Sequence, residues 1–518
     1  MTTTQDIIVV GAGIGGLSAA IELVARGYGV TVVEKAPVVG GKMRTIEVDG
    51  HAIDSGPTGL TMREVFDDLF ERAGARLDEA VDLRSLRVLA RHAWRDGTRL
   101  DLFDDPERSA KAIADVFGRR EAEGFRRFCA HTRTIYETVR GPFIEGDVSG
   151  LMAMTRQLSL SQMRRMAVVD WHRSMWKALR SFFRHPRLRQ LFGRYATYYG
   201  SSPFKAPATL NLIAHVERQG AWTVQGGMTQ LAHAMASLLR RRGGEIRLGT
   251  EVREVLVEGG RAAGVRLADG QTLRSRVVVI NAAPEAIVAG LMGQGLGRAV
   301  EPSPSTRSLS AITWSMVGRV RDFPLAYHNV LFSDRYPAEF EQLRSGRVPV
   351  QPTVYLCAQD RDPGSLDPAL DPAPQRLFCA VNAPARGDDP SFDPQADRVK
   401  ERCLQQMARC GLTVEAEPSL TICTTPRDFA RMFPATGGAL YGPATHGFRS
   451  AFARPGARTS LSGLYLVGGG AHPGAGVPMV ALGGRLAARS VHADLISRRG
   501  SPWALALGPS TVSVPTGP

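Results

Sequence analysis

The chain has 518 residues, of which 43% are hydrophobic and 22% charged, with a formal net charge of +14. That composition is globular, and the length exceeds one ordinary core, predicting about three domains or two large ones. The excess of cations admits an anionic partner, nucleic acid or an anionic membrane surface. No run of about 18 apolar residues occurs, which excludes a membrane-spanning helix. The start, Met1 to Asp6, has neither a basic region nor a small-residue cleavage site, so no signal peptide is expected. The cysteines Cys129, Cys357, Cys379, Cys403, Cys410 and Cys423 form no CxxC pair, and the histidines lack metal-ligand spacing. Reduced, buried thiols and no metal site are expected.

Asp6 to Val10 is an apolar run that predicts a buried strand. Gly11-Ala12-Gly13-Ile14-Gly15-Gly16 follows at once. Leu17, Ala20, Ile21 and Val24 then mark one face of a helix, which Gly27 ends. Val30 to Val33 predicts a second strand, with Glu34 and Lys35 at its end. In such a strand–turn–helix, Gly11 allows the tight turn, Gly13 lets the backbone approach a pyrophosphate, and Gly16 lets helix and strand pack closely. Gly15 lies in the first helical turn, where free N–H groups and the helix dipole attract phosphate. Glu34 stands about 20 residues on, where it accepts hydrogen bonds from ribose hydroxyls. The constellation predicts dinucleotide binding; a chance glycine turn has no need of the strands and the acid.

Gly40-Gly41-Lys42 follows Glu34, and a nicotinamide enzyme has no special need for that pair. In flavoproteins with two dinucleotide-binding domains a GG pair follows the second strand close to FAD, and this segment resembles it. A hairpin turning at Asp49-Gly50 leads to Asp54-Ser55-Gly56-Pro57, which resembles the D-x-G-P turn beside the cofactor in the same proteins. Short strands are predicted at Glu245 to Leu248, Val252 to Val257, Ala262 to Leu267 and Val277 to Ile280, with Val252 placed near the cofactor. Near the C-terminus, Leu464 to Val467 predicts a buried strand and Gly468 to Gly476 a backbone-rich loop. Val477-Pro478 then opens a helix. Gly468, Gly469, Gly476, Val477 and Pro478 are expected at the flavin, with the helix N-terminus facing the edge that turns negative on reduction. The expected FAD-binding domain is discontinuous: 1–80, 220–300 and 455–500.

Taken together, these motifs resemble the bacterial carotenoid (phytoene) desaturase family over nearly the whole chain. Arg194-Tyr195-Ala196-Thr197-Tyr198-Tyr199-Gly200-Ser201-Ser202-Pro203 resembles the family's R-x-A-T-Y-x-G-x-x-P segment. Gly226-Gly227-Met228 with Leu231 is similar to its G-G-M-x-x-L element. His472-Pro473-Gly474-Ala475-Gly476-Val477-Pro478 is similar to its H-P-G-x-G-x-P signature. Gly437-Gly438-Ala439-Leu440-Tyr441-Gly442 resembles an element of the subgroup that acts as hydroxycarotenoid (methoxyneurosporene) 3,4-desaturases. The chain departs from that subgroup in having Gly483-Gly484 where Ser-Gly is expected.

The resemblance implies an α/β fold: a Rossmann-type FAD-binding domain, a mixed α+β substrate domain (85–220 and 300–450), a helical membrane-facing part and a flexible tail, 501–518. It implies 3,4-desaturation of a 1-hydroxylated acyclic carotenoid by hydride transfer to flavin N5, with oxygen or a quinone as electron acceptor. An allylic C–H is a very weak acid, so hydride loss precedes proton loss and a weak base suffices. His215, Glu217 and His472 are the candidates for that base, each with a structural hydrogen bond as its plainer use.

Residues 156–194 carry ten cations against one acid, Asp170, interleaved with Met163, Met166, Trp171, Trp176, Phe182, Phe183 and Phe192. A basic amphipathic surface of this kind suits an anionic bilayer, where the carotenoid already resides. The expected location is cytoplasmic, peripheral on the inner membrane, with no nucleic acid bound; a plain solvated face is the alternative. Phytoene desaturase and carotenoid isomerase remain as alternatives within the family. A prenyl or lipid carrier of the escort-protein type remains outside enzymes.

Overall fold

The computed structural model describes residues 3–146, 169–447, 450 and 453–499. Two sheets organise it. The first has the strand order Glu245–Arg247, Val30–Val33, Thr3–Val10, Thr272–Ile280, Arg261–Leu267, Val252–Glu258, with Leu464–Leu466 also paired to Thr272–Ile280. Its central pairs are parallel, with Ile7 opposite both Val30 and Val277. Val30 to Val33 are buried at every position, because a parallel strand is covered on both faces. This is the expected Rossmann-type sheet. The helix Ile14–Val24 was predicted to bury one face. It is buried nearly all round, since Thr229–Arg241 and Val477–Arg499 both pack against it.

The second sheet runs Thr413–Glu415, Ser310–Arg321, Gln375–Ala383, Val354–Ala358, His328–Leu331, Val88–Ala93, Arg99–Phe103, with Thr421–Thr424 on the edge of Ser310–Arg321. Its strands alternate. Trp314, Leu356 and Cys379 pack with Val399, Cys403 and Met407 of the helix Ala396–Arg409. The alternate residues Thr313, Tyr355, Phe378 and Ala380 point to the other face and line a large cavity. The hairpin Thr45–Val48/His51–Asp54 turns at Asp49 and Gly50, both with positive φ, as its Asp-Gly pair predicts.

Two expectations need correction. The aromatics of the basic segment do not all lie on its surface. Residues 156–168 lie outside the described residues, and the rest forms the short helices Met175–Leu179 and Pro186–Gly193. Phe183 and Phe192 are 1% exposed and Arg194 6%, so those aromatics anchor the segment to the core, while Trp171 is 40% exposed. The cysteines are free, but Cys423 is exposed and Cys129 only partly buried. Among the described residues no helix is long and apolar enough to cross a membrane. The expected tail, 501–518, also lies outside the described residues.

Candidate active site

One cavity of about 1360 Å³ reaches from the glycine turn of the first sheet to the open face of the second. A pocket for one drug-sized ligand is about 300–1,000 Å³, so this space holds more than one small molecule.

At the first-sheet end the backbone forms a cradle. Gly11 has φ +99, and a Cβ there would lie 2.8 Å from the Asn281 carbonyl oxygen; a Cβ on Gly16 would lie 2.1 Å from the Gly11 carbonyl oxygen. No other residue fits at Gly16, so strand and helix meet at van der Waals distance. The Glu34 carboxylate accepts from Ala12 N (2.7 Å) and Ala36 N (2.8 Å). A carboxylate has about four acceptor positions, so two remain for a ribose diol. Glycine N–H groups at a helix start, no side chain in the way and an acid held at the second strand fit the adenosine diphosphate half of FAD.

Beyond the cradle, the Lys42 amine donates to the Leu440 carbonyl (2.6 Å) and lies 5.1 Å from the Phe433 ring. Burial pushes its pKa down to about 8, against the pull of Glu285, and Arg454 pushes the same way as burial. Arg44 donates to Thr424 Oγ1 (3.0 Å). Arg454 is wholly buried and donates to the carbonyls of Gly469, Tyr441 and Pro443. It thereby ties the 437–442 turn to the C-terminal glycine loop. That loop leads through Gly476 into the long helix Val477–Arg499, whose first turn lines the cavity.

The second-sheet end mixes apolar walls, among them Val139, Phe143, Leu210 and Ile213, with a buried polar group. Glu217 accepts from the hydroxyls of Tyr195 and Tyr198, the latter at 3.2 Å. Arg194 donates to Tyr198 (2.6 Å). Burial raises the Glu217 pKa, and the Arg194 cation opposes that rise. Nearby, Tyr355 bridges Thr58 Oγ1 (2.6 Å) and His328 Nδ1 (2.7 Å). Burial first, and Arg194 second, push the His328 pKa down to about 3, so its ring is neutral.

Most of the expected site residues line this one cavity: Gly11, Gly13, Gly15, Glu34, Lys35, Gly40, Gly41, Lys42, Gly56, Pro57, Glu217, Val252, Gly468, Gly469, Gly476, Val477 and Pro478. Four do not. Gly16 lies behind the turn. The Asp54 carboxylate accepts from Met228 N (2.7 Å), latching the D-x-G-P turn to the G-G-M turn. The His215 ring packs on Tyr136 at 5.1 Å. His472 Nε2 bonds the Gly146 carbonyl at 3.0 Å, and its ring meets Phe143 edge-on. Sequence reasoning missed Arg44, His328, Tyr355 and Arg454. The only signal for His328 and Tyr355 was strand alternation, since each sits in an apolar run on the cavity face.

Residues 14–492 match the family described as flavin containing amine oxidoreductase. A hydroxyneurosporene desaturase of Rubrivivax gelatinosus is 46% identical over 99% of this chain and 98% of its own length. A hydroxyneurosporene desaturase of Cereibacter sphaeroides is 43% identical over 95% and 98%. Among solved structures, an oxidoreductase from Methanosarcina mazei superposes with a TM-score of 0.60 at 17% identity, covering 95% of this chain and 100% of that one, a likeness of fold. The chain belongs to the flavin-containing amine oxidoreductase family and, within it, to the carotenoid desaturases.

Proposed function

We propose that the chain is an FAD-dependent desaturase that introduces the 3,4 C–C double bond into a 1-hydroxylated acyclic carotenoid. The observation that carries this reading is the continuity of the cavity: one space joins a dinucleotide cradle to a long, mainly apolar chamber with a buried carboxyl group. The names of the two bacterial relatives point to the same substrate class. FAD, when bound, supplies the acceptor for a hydride.

The protein's own part is to bind, orient and deprotonate. Gly11, Gly13, Glu34, Gly40 and Gly41 hold the dinucleotide, within an FAD-binding domain drawn from 1–80, 220–300 and 455–500. The second sheet and the 85–220 segment hold the polyene and exclude water. Glu217 accepts the proton lost as the double bond forms. Its raised pKa makes it a better base than a solvated carboxylate, and Tyr195 and Tyr198 fix its two oxygens in place. His215 and His472 are positioned by other contacts and take no such role.

The substrate is lipid-soluble, and the +14 charge favours docking on an anionic bilayer. We assign the enzyme to the membrane surface as a peripheral protein. The electrons pass to oxygen or to a quinone, told apart by anaerobic turnover with and without added quinone. The test of function is product analysis. FAD-loaded protein is incubated with a 1-hydroxylated acyclic carotenoid and, separately, with phytoene. A red shift of the hydroxylated substrate alone supports the proposal. Coloured products from phytoene move the assignment to phytoene desaturase, and a geometric isomer without a longer polyene moves it to an isomerase.

A further inference from the structure

Polar atoms without hydrogen-bond partners gather along the second-sheet face of the cavity. The Tyr336 hydroxyl, Glu339 Oε1, Thr313 Oγ1 and Ser310 Oγ are each buried and unpaired, and all four residues line the cavity. An unpaired buried polar group is costly, and native proteins hold only a few. Four on one cavity wall are left for water or a bound molecule to satisfy.

Two of them are held to act together. Tyr336 and Glu339 lie one turn apart on the helix Tyr336–Arg344, hence on one face. Glu339 Oε2 is fully engaged, accepting from Ser333 Oγ (3.0 Å), Thr353 N (3.2 Å) and Thr353 Oγ1 (2.7 Å). That anchorage fixes the carboxyl; the Asn382 side chain also reaches it, and Oε1 has no partner at full hydrogen-bond distance. The Tyr336 ring is packed by Phe340 at 5.0 Å and Trp176 at 6.0 Å, so its hydroxyl cannot swing to another partner. A chain of contacts links this wall to the cofactor cradle. Leu309, next to Ser310, accepts through its carbonyl from Leu440 N (3.2 Å), and the Leu440 carbonyl accepts from Lys42.

We propose that Tyr336 and Glu339 form a hydroxyl-recognition subsite, in which one alcohol group of a bound acyclic polyene accepts from Tyr336 and donates to Glu339 Oε1. An alcohol satisfies both, because it is donor and acceptor at once. A methyl ether satisfies Tyr336 alone, and an unsubstituted chain end leaves both unpaired. C1, which bears the hydroxyl, is two bonds from C3, so holding that hydroxyl also sets which bond is presented for oxidation. The identity of the polyene rests on the carotenoid reading above; the polarity of the subsite does not.

The test is equilibrium binding to the full-length, FAD-loaded protein, read by quenching of tryptophan fluorescence, since Trp171 lines the cavity. The probes are a 1-hydroxylated acyclic carotenoid, its methyl ether and its unsubstituted parent. The wild type is expected to bind the alcohol roughly ten- to a hundredfold more tightly than the parent, with the ether between. Tyr336→Phe lowers the preference for alcohol over parent to less than about threefold and leaves affinity for the parent within about twofold. Glu339→Gln keeps its carbonyl on Ser333 and Thr353 and turns an NH2 to the cavity, so the alcohol falls to the level of the ether. Equal losses for alcohol and parent, or no discrimination by the wild type, overturn the subsite. Discrimination without turnover upholds the subsite and sinks the desaturase reading; turnover without discrimination does the reverse. Failure to bind any of the three polyenes overturns both.

Discussion

A Cβ on Gly484 would lie 2.5 Å from the carbonyl oxygen of Gly15, so the C-terminal helix crosses the first helix at backbone contact. The fit is reciprocal, because a Cβ on Gly15 would lie 3.2 Å from the Val480 carbonyl oxygen. Ser18 Oγ donates to the Ala481 carbonyl at 2.7 Å across the same crossing. Both ends of the chain are thereby joined under the cradle. Gly484→Val is expected to cost about 1–3 kcal/mol by overpacking and to weaken FAD retention. Gly259→Asn, in an open turn at φ +55, should stay within about 0.5 kcal/mol. Urea unfolding of the two variants beside the wild type checks this; equal stability of all three contradicts the crossing.

Glu34 anchors two backbone N–H groups and faces the cavity. Glu34→Ala orphans the buried Ala12 N, at about 1–3 kcal/mol, frees the partly exposed Ala36 N, and removes the ribose acceptor. We expect FAD affinity to fall at least about tenfold, a change of about 1.4 kcal/mol. The ratio of flavin to protein absorbance after gel filtration measures it. Unchanged FAD content would contradict the assignment of the cradle.

Lys42 predicts a pH dependence. Its folded pKa of about 8 lies below its ordinary 10.5, with burial as the main cause. The cost of burying the ammonium is therefore present in full below about pH 8 and fades as pH rises towards 10.5. Stability of the flavin-free protein should rise with pH through that window, because the unfolded chain binds more protons there. Other groups titrate in the same range, so the measurement is the difference between wild type and Lys42→Met in urea midpoints across pH. Parallel profiles would rule out the buried ammonium as the cause.

Much of this arrangement is legible in the sequence, and the limits have physical causes. Gly11 to Gly16, Glu34 and the strand at Val30 act through local geometry, so their spacing alone announces a dinucleotide turn. Asp54 was placed at the cofactor because its motif is local, yet its carboxylate is spent on Met228 N, far away in sequence. His215 and His472 were named for their chemistry; in the structure their rings pack against Tyr136 and Phe143 and do not line the cavity. His328 and Tyr355 come together only through the register of two antiparallel strands. The aromatics at Phe183 and Phe192 read as a surface stripe between arginines, but they fill a core that includes Phe125 and Phe128.

Glu217 separates from the two histidines by experiment. Glu217→Gln should lower kcat by about 10²–10⁴, the usual contribution of a positioned base, with FAD content unchanged. His215→Ala should leave kcat within about threefold, because burial and Arg218 push the ring's pKa down to about 4 and it does not line the cavity. Buried Arg194 loses a neighbouring charge in the Glu217 variant, so the pH–rate profile is recorded as well. Loss of the limb assigned to a carboxyl, with folding intact, marks a base; a uniform drop in both variants marks a structural defect.

The most direct measurement is an anaerobic single turnover of FAD-loaded protein with a 1-hydroxylated acyclic carotenoid. One equivalent of flavin is expected to bleach for each double bond gained, with the carotenoid absorption moving to longer wavelength at the same rate. A carotenoid spectrum that changes while the flavin stays oxidised, or a bound carotenoid that does not change at all, would contradict it.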